Sequence, residues 1–457
     1  MNATQVYYPQ GLGQLTAMGM RQMYLRGREM RKRYIEDTTF LSQRMNPDEF
    51  YAYSTPVDRT YMSAMAFMMG LYPLGTGSQM FDNQTASAVP PMPVDNLEQI
   101  KQRLGTNPLE NGFQTVPIHS DSGDLESMLF RGYDPLICPI IGEIQMFEAI
   151  NNTKVNSTFE NYKKTLYPLL QNKFSLNKSE PFDIEVARYI TDEIHTNQYE
   201  KRYVNYTFTP EEQALINNFT HDDHYLFKFN NDTITTLANN ELFKFISRHF
   251  DWKANATLGH VNTSNQYLTT QRYYYSQIHQ QHLIGLILGF QLEQQFRYLP
   301  KYTSSLLIEF HQRDFTLPDD GSDPVYSREN YYIKLYLDDI PIKLPNATCD
   351  DNYKCTWDSV HEFMRSRLFK DVVNNGQHTN NIRNFCFTHL NYQVTESTYE
   401  ENLPWWLAFV IALPLVGITI AIIKIFLILK NKRDREQIRR QRQVLQEGGV
   451  QYGRLNG

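Results

Sequence analysis

The sequence predicts an α/β fold in which helices flank a mixed sheet, a mostly helical cap is inserted, and one transmembrane helix follows near the C-terminus. Three observations predict it. Strand-like and helix-like segments alternate over residues 1–120 and again over about 265–395. The residues between them, 121–264, are polar, rich in asparagine and helical in periodicity. Residues 405–429 carry a single charge, that of Lys424.

The first core segment begins with an amphipathic helix and ends with a short strand. Over residues 11–35 apolar side chains lie among basic ones at helical spacing, and the helix is predicted to start near Thr16. A region rich in proline, glycine and asparagine follows over residues 71–114. The sequence TVPIHS at 115–120 then predicts a short strand.

Arg59 lies where a strand is followed directly by a helix. The strand-like residues 51–53 and a turn at 54–56 precede it. Apolar residues recur after it at helical spacing, namely Met62, Ala66 and Met69. Because the first turn of a helix carries a positive dipole, an arginine there is tolerated best when an anion binds beside it. The alternative is a solvated arginine paired to Asp58 or to a distant carboxylate.

The second core segment repeats the strand and helix pattern. Residues 271–279, QRYYYSQIH, predict a strand, and residues 280–296 predict the helix after it. Residues 304–314 and 329–344 predict two strands of a hairpin. Strand and helix units therefore lie on both sides of the helical cap, which indicates an α/β core.

The apolar stretch predicts a single-pass type I membrane protein. Residues 405–429 are long enough to cross a hydrocarbon core of about 30 Å, and Trp405 and Trp406 suit one interface. The basic run that follows fits the cytosolic side, so residues 1–400 are expected to be lumenal or extracellular and 430–457 cytosolic. Membrane lipid is then a partner. The alternative is a buried core helix.

Acceptor sequences for N-glycosylation agree with this topology. All of them precede the predicted span, and most lie in the cap. They are Asn2, Asn83, Asn151, Asn156, Asn177, Asn205, Asn218, Asn231, Asn255, Asn262 and Asn346. The pattern predicts a glycoprotein of the secretory route.

The cysteines predict two disulfides. All four precede the predicted span, where the compartment is oxidising. Cys349 and Cys355 are close enough to close a small loop, which leaves Cys138 to pair with Cys386. A zinc site is the alternative, but the spacing contains no CxxC pair.

The remaining patterns exclude some functions and predict others. A formal net charge of −6 does not indicate nucleic-acid binding, and no cofactor or metal is expected. The run His221 to His224 is predicted to be a solvated loop rather than a metal site. Tyr452 to Leu455, YGRL, has the form of a tyrosine-based sorting signal that sorting adaptors bind. It predicts endosomes or lysosomes, with the cell surface as the alternative.

Four sequence blocks together resemble the histidine acid phosphatases, with the lysosomal and prostatic acid phosphatases as the nearest kinds. The blocks are GLGQLTAMGMRQMYLRGREMRKRY, YSTPVDRTYMSAM, TVPIHS and IKLPNATCDDNYKC. The resemblance extends over roughly residues 8–390 and is weakest in the cap. It implies a mixed α/β sheet with a helical cap, hydrolysis of phosphomonoesters through a phosphohistidine, and a homodimer as one expected assembly.

The same resemblance assigns residues to the site. Arg59 matches an arginine that binds phosphate, His279 matches a histidine that contacts phosphate, and Gln280 stands where the family has a proton-donating aspartate. Guanidinium groups suit phosphate because they form bidentate contacts. A carboxylic acid protonates the leaving alcohol, which an amide cannot do. His282 is expected to be an ordinary hydrogen-bonding residue.

Further departures from the family pattern predict impaired catalysis. The family's Arg-His-Gly nucleophile sequence does not occur, and the only Arg-His pair, Arg248-His249, is expected to be a surface pair in the cap. The nucleophile loop would precede Gly11, so we expect the chain to be incomplete at its N-terminus, which would also account for the lack of a signal peptide. Tyr53 and Pro56 replace the usual arginine and aspartate beside Arg59. The alternative function is a non-catalytic membrane glycoprotein that binds phosphate.

Overall fold

The computed structural model describes residues 8–387, except for positions 121–127, 178, 180, 203, 205, 258–269, 297, 314–326, 371, 375–376 and 380–381. Nine strands are assigned within this part of the chain. They are β1 (Phe50–Ser54), β2 (Ile118–His119), β3 (Tyr273–Gln277), β4 (Leu306–Gln312), β5 (Tyr331–Leu337), β6 (Ile340–Ile342), β7 (Cys355–Thr356), β8 (Val372–Asn374) and β9 (Gln377–Thr379).

Twelve α-helices are assigned in the same residues. They are α1 (Ala17–Arg31), α2 (Asp58–Leu71), α3 (Leu97–Leu104), α4 (Met128–Arg131), α5 (Ile140–Asn151), α6 (Thr153–Phe174), α7 (Ile184–Tyr199), α8 (Pro210–Asp222), α9 (Asp232–Thr257), α10 (Gln280–Gly289), α11 (Trp357–Ser366) and α12 (Ile382–Cys386).

Three parallel strands form the sheet that carries the candidate site. The order is β2-β1-β3, and β1 pairs with β3 from Phe50 opposite Tyr273 to Ser54 opposite Gln277. Buried aromatic and aliphatic side chains of β1 favour this pleated, covered position. Because both strands end at the same edge, the residues that follow them lie close together.

Helices α1 and α2 pack against this sheet in close contact. Thr16 caps α1 by accepting a hydrogen bond from Gly19 N at 3.1 Å, which confirms the predicted start. The crossing is so tight that a Cβ on Gly27 would lie 2.0 Å from Phe67 O, and one on Gly70 would lie 2.1 Å from Tyr24 O. Glycine at both positions therefore allows the two backbones to meet.

The stripe that predicted α2 is not its buried face. Met69 is 41% exposed, although Ala66 is buried. The buried residues of the helix are Thr60, Ser63, Ala64, Ala66, Phe67, Met68, Gly70 and Leu71. Gly70 lies on the buried face where α1 approaches most closely, whereas the Met65 and Met69 side chains are exposed. The spacing therefore predicted the helix correctly but did not identify its buried face.

A second sheet is antiparallel. Strands β4, β5 and β6 are neighbours in that order, and β7 pairs with β5. The predicted pairing of the segments at 304–314 and 329–344 is confirmed, and β5 alternates buried and half-buried side chains as one face covers the core. The sequence predicted one mixed sheet, whereas the described strands form a parallel sheet, an antiparallel sheet and a β8-β9 pair.

A charged cluster joins α1 and the residues after it to the second sheet. Glu309 accepts hydrogen bonds from Arg33 Nη2 at 2.7 Å and from the Tyr34 hydroxyl at 2.8 Å, and His311 Nε2 lies 3.1 Å from its other oxygen. Burial works against the Glu309 charge, but the hydrogen bonds from His311, Tyr34 and Arg33 outweigh it and lower the pKa of Glu309 to about 2. The carboxylate therefore stays ionised in an acidic compartment.

Helices α6, α7 and α8 share an apolar core of their own, with Leu166, Ile194 and Phe219 at its centre. The run His221 to His224 is not the solvated loop that was predicted. Asp223 is 4% exposed and is paired with Arg188 Nε at 2.5 Å and Lys228 Nζ at 2.9 Å. These residues hold the helices together, because a buried carboxylate requires such partners.

Helix α9 packs on the core as well as extending through the predicted cap. The surface pair predicted at Arg248-His249 is only half correct, since Arg248 is exposed but His249 packs among aromatic rings. The His249 ring lies 4.1 Å from the Phe245 ring and 4.8 Å from the Tyr274 ring. Burial lowers the pKa of His249 to about 4.

Both predicted disulfides are present. Cys138 is bonded to Cys386 across 248 residues. Cys349 is bonded to Cys355 within a short loop, and the same two residues form an isolated antiparallel β-bridge. Among the residues that the structure describes, no helix is long and apolar enough to cross a bilayer. The predicted span at 405–429 and the YGRL sequence with Tyr452 and Leu455 lie outside those residues.

Candidate phosphate-binding site

The candidate site lies at the edge of the parallel sheet where β1 and β3 end. Thr55 follows β1 directly, and its backbone N–H donates to Gln277 O, the last carbonyl of β3, at 3.2 Å. His279 comes two residues after Gln277 and is the N-cap of α10. The Thr55 Oγ1 and the His279 Nε2 are 3.1 Å apart. Ligands often bind outside the carboxyl ends of parallel strands, because loops and helix N-termini converge there.

Arg59 lies in the first turn of α2, as the sequence predicted. It is exposed, and no ion pair or hydrogen bond of its guanidinium occurs with any residue that the structure describes. Asp58, the nearest candidate partner, instead accepts a hydrogen bond from Gln14 Nε2 at 3.0 Å. A free guanidinium at a helix N-terminus is suited to an anionic ligand.

The environment of His279 favours its neutral form. Burial contributes most, and the charges of Arg59 and Arg131 act in the same direction, so that the pKa of His279 is lowered to about 4 although Asp134 opposes the shift. The charges of both Arg59 and Arg131 thus act on this ring. At the pH of about 5 of an acidic compartment, His279 is therefore largely uncharged.

Arg131 and Asp134 are site residues that the sequence did not reveal. Arg131 ends α4, and its Nη2 donates to Asp134 Oδ2 at 2.6 Å. Asp134 Oδ1 also accepts from Leu136 N at 2.9 Å, which fixes the carboxylate. The short helix follows residues 121–127, and nothing in its spacing relates it to Arg59. Only the tertiary structure brings this second arginine beside His279.

Gln280 is turned toward a loop. Its Nε2 donates to Pro300 O at 2.6 Å, so the amide serves as a donor to the backbone. An aspartate could not make this contact, because an ionised carboxylate only accepts hydrogen bonds. The sequence analysis predicted a substitution at this position but not the direction of the Gln280 side chain.

The other residues singled out around the site are structural. His282 is fully buried beside the rings of Phe130 and Tyr133, and burial lowers its pKa to about 3 despite an interaction with the backbone of Phe130. The Tyr53 ring is buried and lies 4.6 Å from the Phe130 ring. Pro56 is exposed in the turn.

This arrangement can bind an anion. Two guanidinium groups and the N-termini of α2 and α10 supply positive potential, and one neutral imidazole supplies directional hydrogen bonding. Asp134 offsets part of that potential, and its hydrogen bond to Arg131 orients the guanidinium.

Two known acid phosphatases are similar in sequence to parts of this chain. The lysosomal acid phosphatase of Xenopus laevis is 41% identical over 97 residues, which are 21% of this chain and 21% of that protein. The prostatic acid phosphatase of Mus musculus is 47% identical over 128 residues, which are 28% of this chain and 32% of that protein. The matched part of this chain therefore spans a third or less of the length of each of these two relatives.

A solved structure and a family profile extend the comparison. The phytase from Citrobacter braakii superimposes with a TM-score of 0.51 at 12% identity, covering 79% of this chain and 89% of that one, which is a likeness of fold. The profile of the histidine phosphatase superfamily (branch 2) matches residues 2–338. This match covers most of the chain and confirms the resemblance predicted from the sequence blocks. The chain belongs to the histidine phosphatase superfamily, branch 2.

Proposed function

We propose that this protein binds phosphomonoesters between Arg59 and His279 and belongs functionally with the acid phosphatases, with impaired hydrolysis. The observation that carries the proposal is the contact of Thr55 with His279 where β1 and β3 end, with Arg59 in the first turn of the helix that follows β1 and its charge acting on His279. A phosphoryl group presents several acceptor oxygens, which suit a guanidinium fork at a helix N-terminus. Arg131 adds a second cation, whose charge also acts on the His279 ring.

Impaired hydrolysis follows from the chemistry at position 280. Cleavage of a phosphomonoester needs a proton for the departing alkoxide, and general-acid assistance contributes about 10²–10⁴ in rate. Gln280 has no titratable proton, and its amide is already bonded to Pro300 O. We expect turnover far below that of an acid phosphatase with the full set of groups.

A second candidate function is binding without cleavage. The Gln280 contact favours it, because the residue that would deliver a proton instead fastens α10 to the loop at Pro300. In this case the protein is a non-catalytic glycoprotein whose site holds a phosphorylated ligand. The two candidates share the phosphate site and differ only in turnover.

The proposed setting is the lumenal side of an endosomal, lysosomal or plasma membrane. The apolar stretch at 405–429, the acceptor asparagines before it and YGRL at 452–455 support a single-pass glycoprotein that adaptors sort. Within it, the helices of 121–264 would form a cap, and a homodimer is the proposed assembly by analogy with the family.

Binding and turnover are tested separately. The purified chain should bind inorganic phosphate at pH 5 by calorimetry, and this binding should be lost in His279→Asn. Its hydrolysis of p-nitrophenyl phosphate should remain at least about 10²-fold below that of an acid phosphatase assayed beside it. Absence of phosphate binding would contradict the site, and ordinary acid phosphatase turnover would contradict the impairment.

A further inference from the structure

We propose that the hydroxyl groups of Thr55 and Thr60 hold His279 in the tautomer that carries its proton on Nε2, so that Nδ1 accepts a hydrogen bond from a protonated phosphoryl oxygen. The site then selects the monoanion of a phosphomonoester over the dianion. This inference rests on the proposed function, because it concerns the same site and specifies the protonation state of its ligand.

The direction of the hydrogen bonds follows from the groups around Thr60. Its Oγ1 lies 2.7 Å from Thr55 O and 2.7 Å from Val57 O. Carbonyl oxygens only accept, so the single hydroxyl proton of Thr60 is used toward one of them. Thr60 Oγ1 can therefore only accept from Thr55 Oγ1, which lies 3.0 Å away.

The next step fixes the imidazole. Since the only proton of the Thr55 hydroxyl is directed to Thr60, its oxygen must accept from His279 Nε2 at 3.1 Å. Both threonines are buried, with Thr55 0% and Thr60 4% exposed, so water does not compete for these bonds. Nε2 consequently bears the proton, and in a neutral ring Nδ1 holds the lone pair.

The surroundings keep the ring neutral. Arg59 faces it from α2, Arg131 and Asp134 face it from the end of α4 and the turn that follows, and His282 lies on its own helix. The two arginines and burial disfavour a second proton on the ring, whereas Asp134 favours one and is outweighed. Nδ1 has no hydrogen-bond partner in the part of the chain that the structure describes. It is the ring nitrogen left for a ligand.

Ligand selection follows from this lone pair. A fully ionised phosphoryl group has only acceptor oxygens, and two acceptors facing each other repel. A phosphomonoester that keeps one proton has a P–OH group that can donate to Nδ1 while its charged oxygens face Arg59. Because the second pKa of such esters is about 6, the monoanion is the main form in an acidic compartment.

The tautomer is tested by ¹⁵N NMR of the full chain with labelled histidine, in which the His279 signal is identified by its loss in His279→Asn. We expect the Nε2–H pattern at pH 5.5 in the wild type and in Thr55→Ser, which keeps the hydroxyl. In Thr55→Val and Thr60→Val the ring should populate both tautomers. An Nδ1–H pattern in the wild type, or an unchanged pattern in folded Thr55→Val and Thr60→Val, would overturn the inference.

Selection for the monoanion is tested with O-phosphoserine as the probe. Its Kd should be constant between pH 4.5 and 5.5 and should rise about tenfold per pH unit above the second pKa of about 6. At pH 5 the bound His279 should keep its neutral ¹⁵N pattern, and Thr55→Val should weaken binding about tenfold, the value of one hydrogen bond. Tighter binding at pH 8 or an imidazolium pattern in the complex would refute monoanion selection.

These outcomes separate this inference from the proposed function. If O-phosphoserine binds more tightly as the pH rises, the phosphate site stands and the monoanion selection fails. If the probe binds at no pH, the proposed function itself fails, and the monoanion selection fails with it, whatever tautomer NMR reports.

Discussion

Replacing Arg59 by glutamine removes the charge proposed to bind phosphate. In the described residues its guanidinium makes no ion pair, and the side chain is exposed. The substitution should therefore change the free energy of unfolding by no more than about 0.5 kcal/mol, as for other exposed positions. A loss of binding in this variant would then reflect the ligand contact rather than misfolding.

The expected loss of affinity follows from the contacts that one guanidinium can make. A hydrogen bond to a charged group contributes about 1.5–3 kcal/mol, and two parallel bonds from one fork are not fully additive. Exposure of Arg59 to solvent places the total at about 2–3 kcal/mol, so the Kd for phosphate should rise about 30- to 150-fold.

The same substitution should change the titration of His279. Burial is the main cause of its lowered pKa, and the Arg59 charge is the second. Without that charge the His279 pKa should rise above its value of about 4 yet stay below 6.5, because burial and Arg131 remain. This readout does not depend on any ligand.

Calorimetry with inorganic phosphate and ¹⁵N titration of labelled histidine measure the two effects. Arg21→Gln is the matched control, since Arg21 is an exposed arginine on α1 that lies outside the site. The reasoning would be refuted if Arg59→Gln bound phosphate as tightly as Arg21→Gln and left the His279 pKa unchanged.

Three further predictions concern the scaffold. Glu309→Gln should lower the free energy of unfolding by about 1.5–3 kcal/mol at pH 7. Because the Glu309 pKa is lowered from 4.5 to about 2, the difference from wild type should persist to pH 5 and shrink as the pH falls below 4.5. A difference that stayed constant down to pH 2 would contradict this prediction. Gly70→Ala should lower the free energy of unfolding by about 1–3 kcal/mol and with it the melting temperature, because the added Cβ would lie 2.1 Å from Tyr24 O. A melting temperature equal to that of the wild type would disprove the tight crossing of α1 and α2. Cys138→Ser should cost about 2–5 kcal/mol in denaturant unfolding. Cys386→Ser should cost the same and the double variant no more, so additive losses would argue against the pair.

Local patterns predicted the elements that carry the site. The strand, turn and helix around Arg59 were recognised because strand residues, turn residues and helical spacing follow one another without interruption. The strand and helix around His279 were predicted in the same way, although His279 was placed at the end of the strand and is the N-cap of α10, and its role at the site came from the family resemblance. Both disulfides were also predicted, since the close pair left only one arrangement for the others.

Long-range contacts explain what was missed. Arg131 reaches His279 only through the fold, and its short helix has no distinctive spacing. The direction of Gln280 depends on Pro300, twenty positions later in the chain. Asp223 was misplaced on the surface because its polar neighbours are typical of a loop, whereas the ion pairs that permit its burial come from other helical turns. The division of the strands into a parallel and an antiparallel sheet was also missed. It depends on which strands pair with one another, and local patterns do not specify that.

The most direct test of a phosphate site between Arg59 and His279 is a crystal structure of the chain with tungstate, a phosphate analogue whose anomalous signal locates it. We expect the anion at the ends of β1 and β3, beside the His279 ring, with oxygens within hydrogen-bond distance of the Arg59 guanidinium. Tungstate bound elsewhere, with neither side chain in contact, would contradict the account.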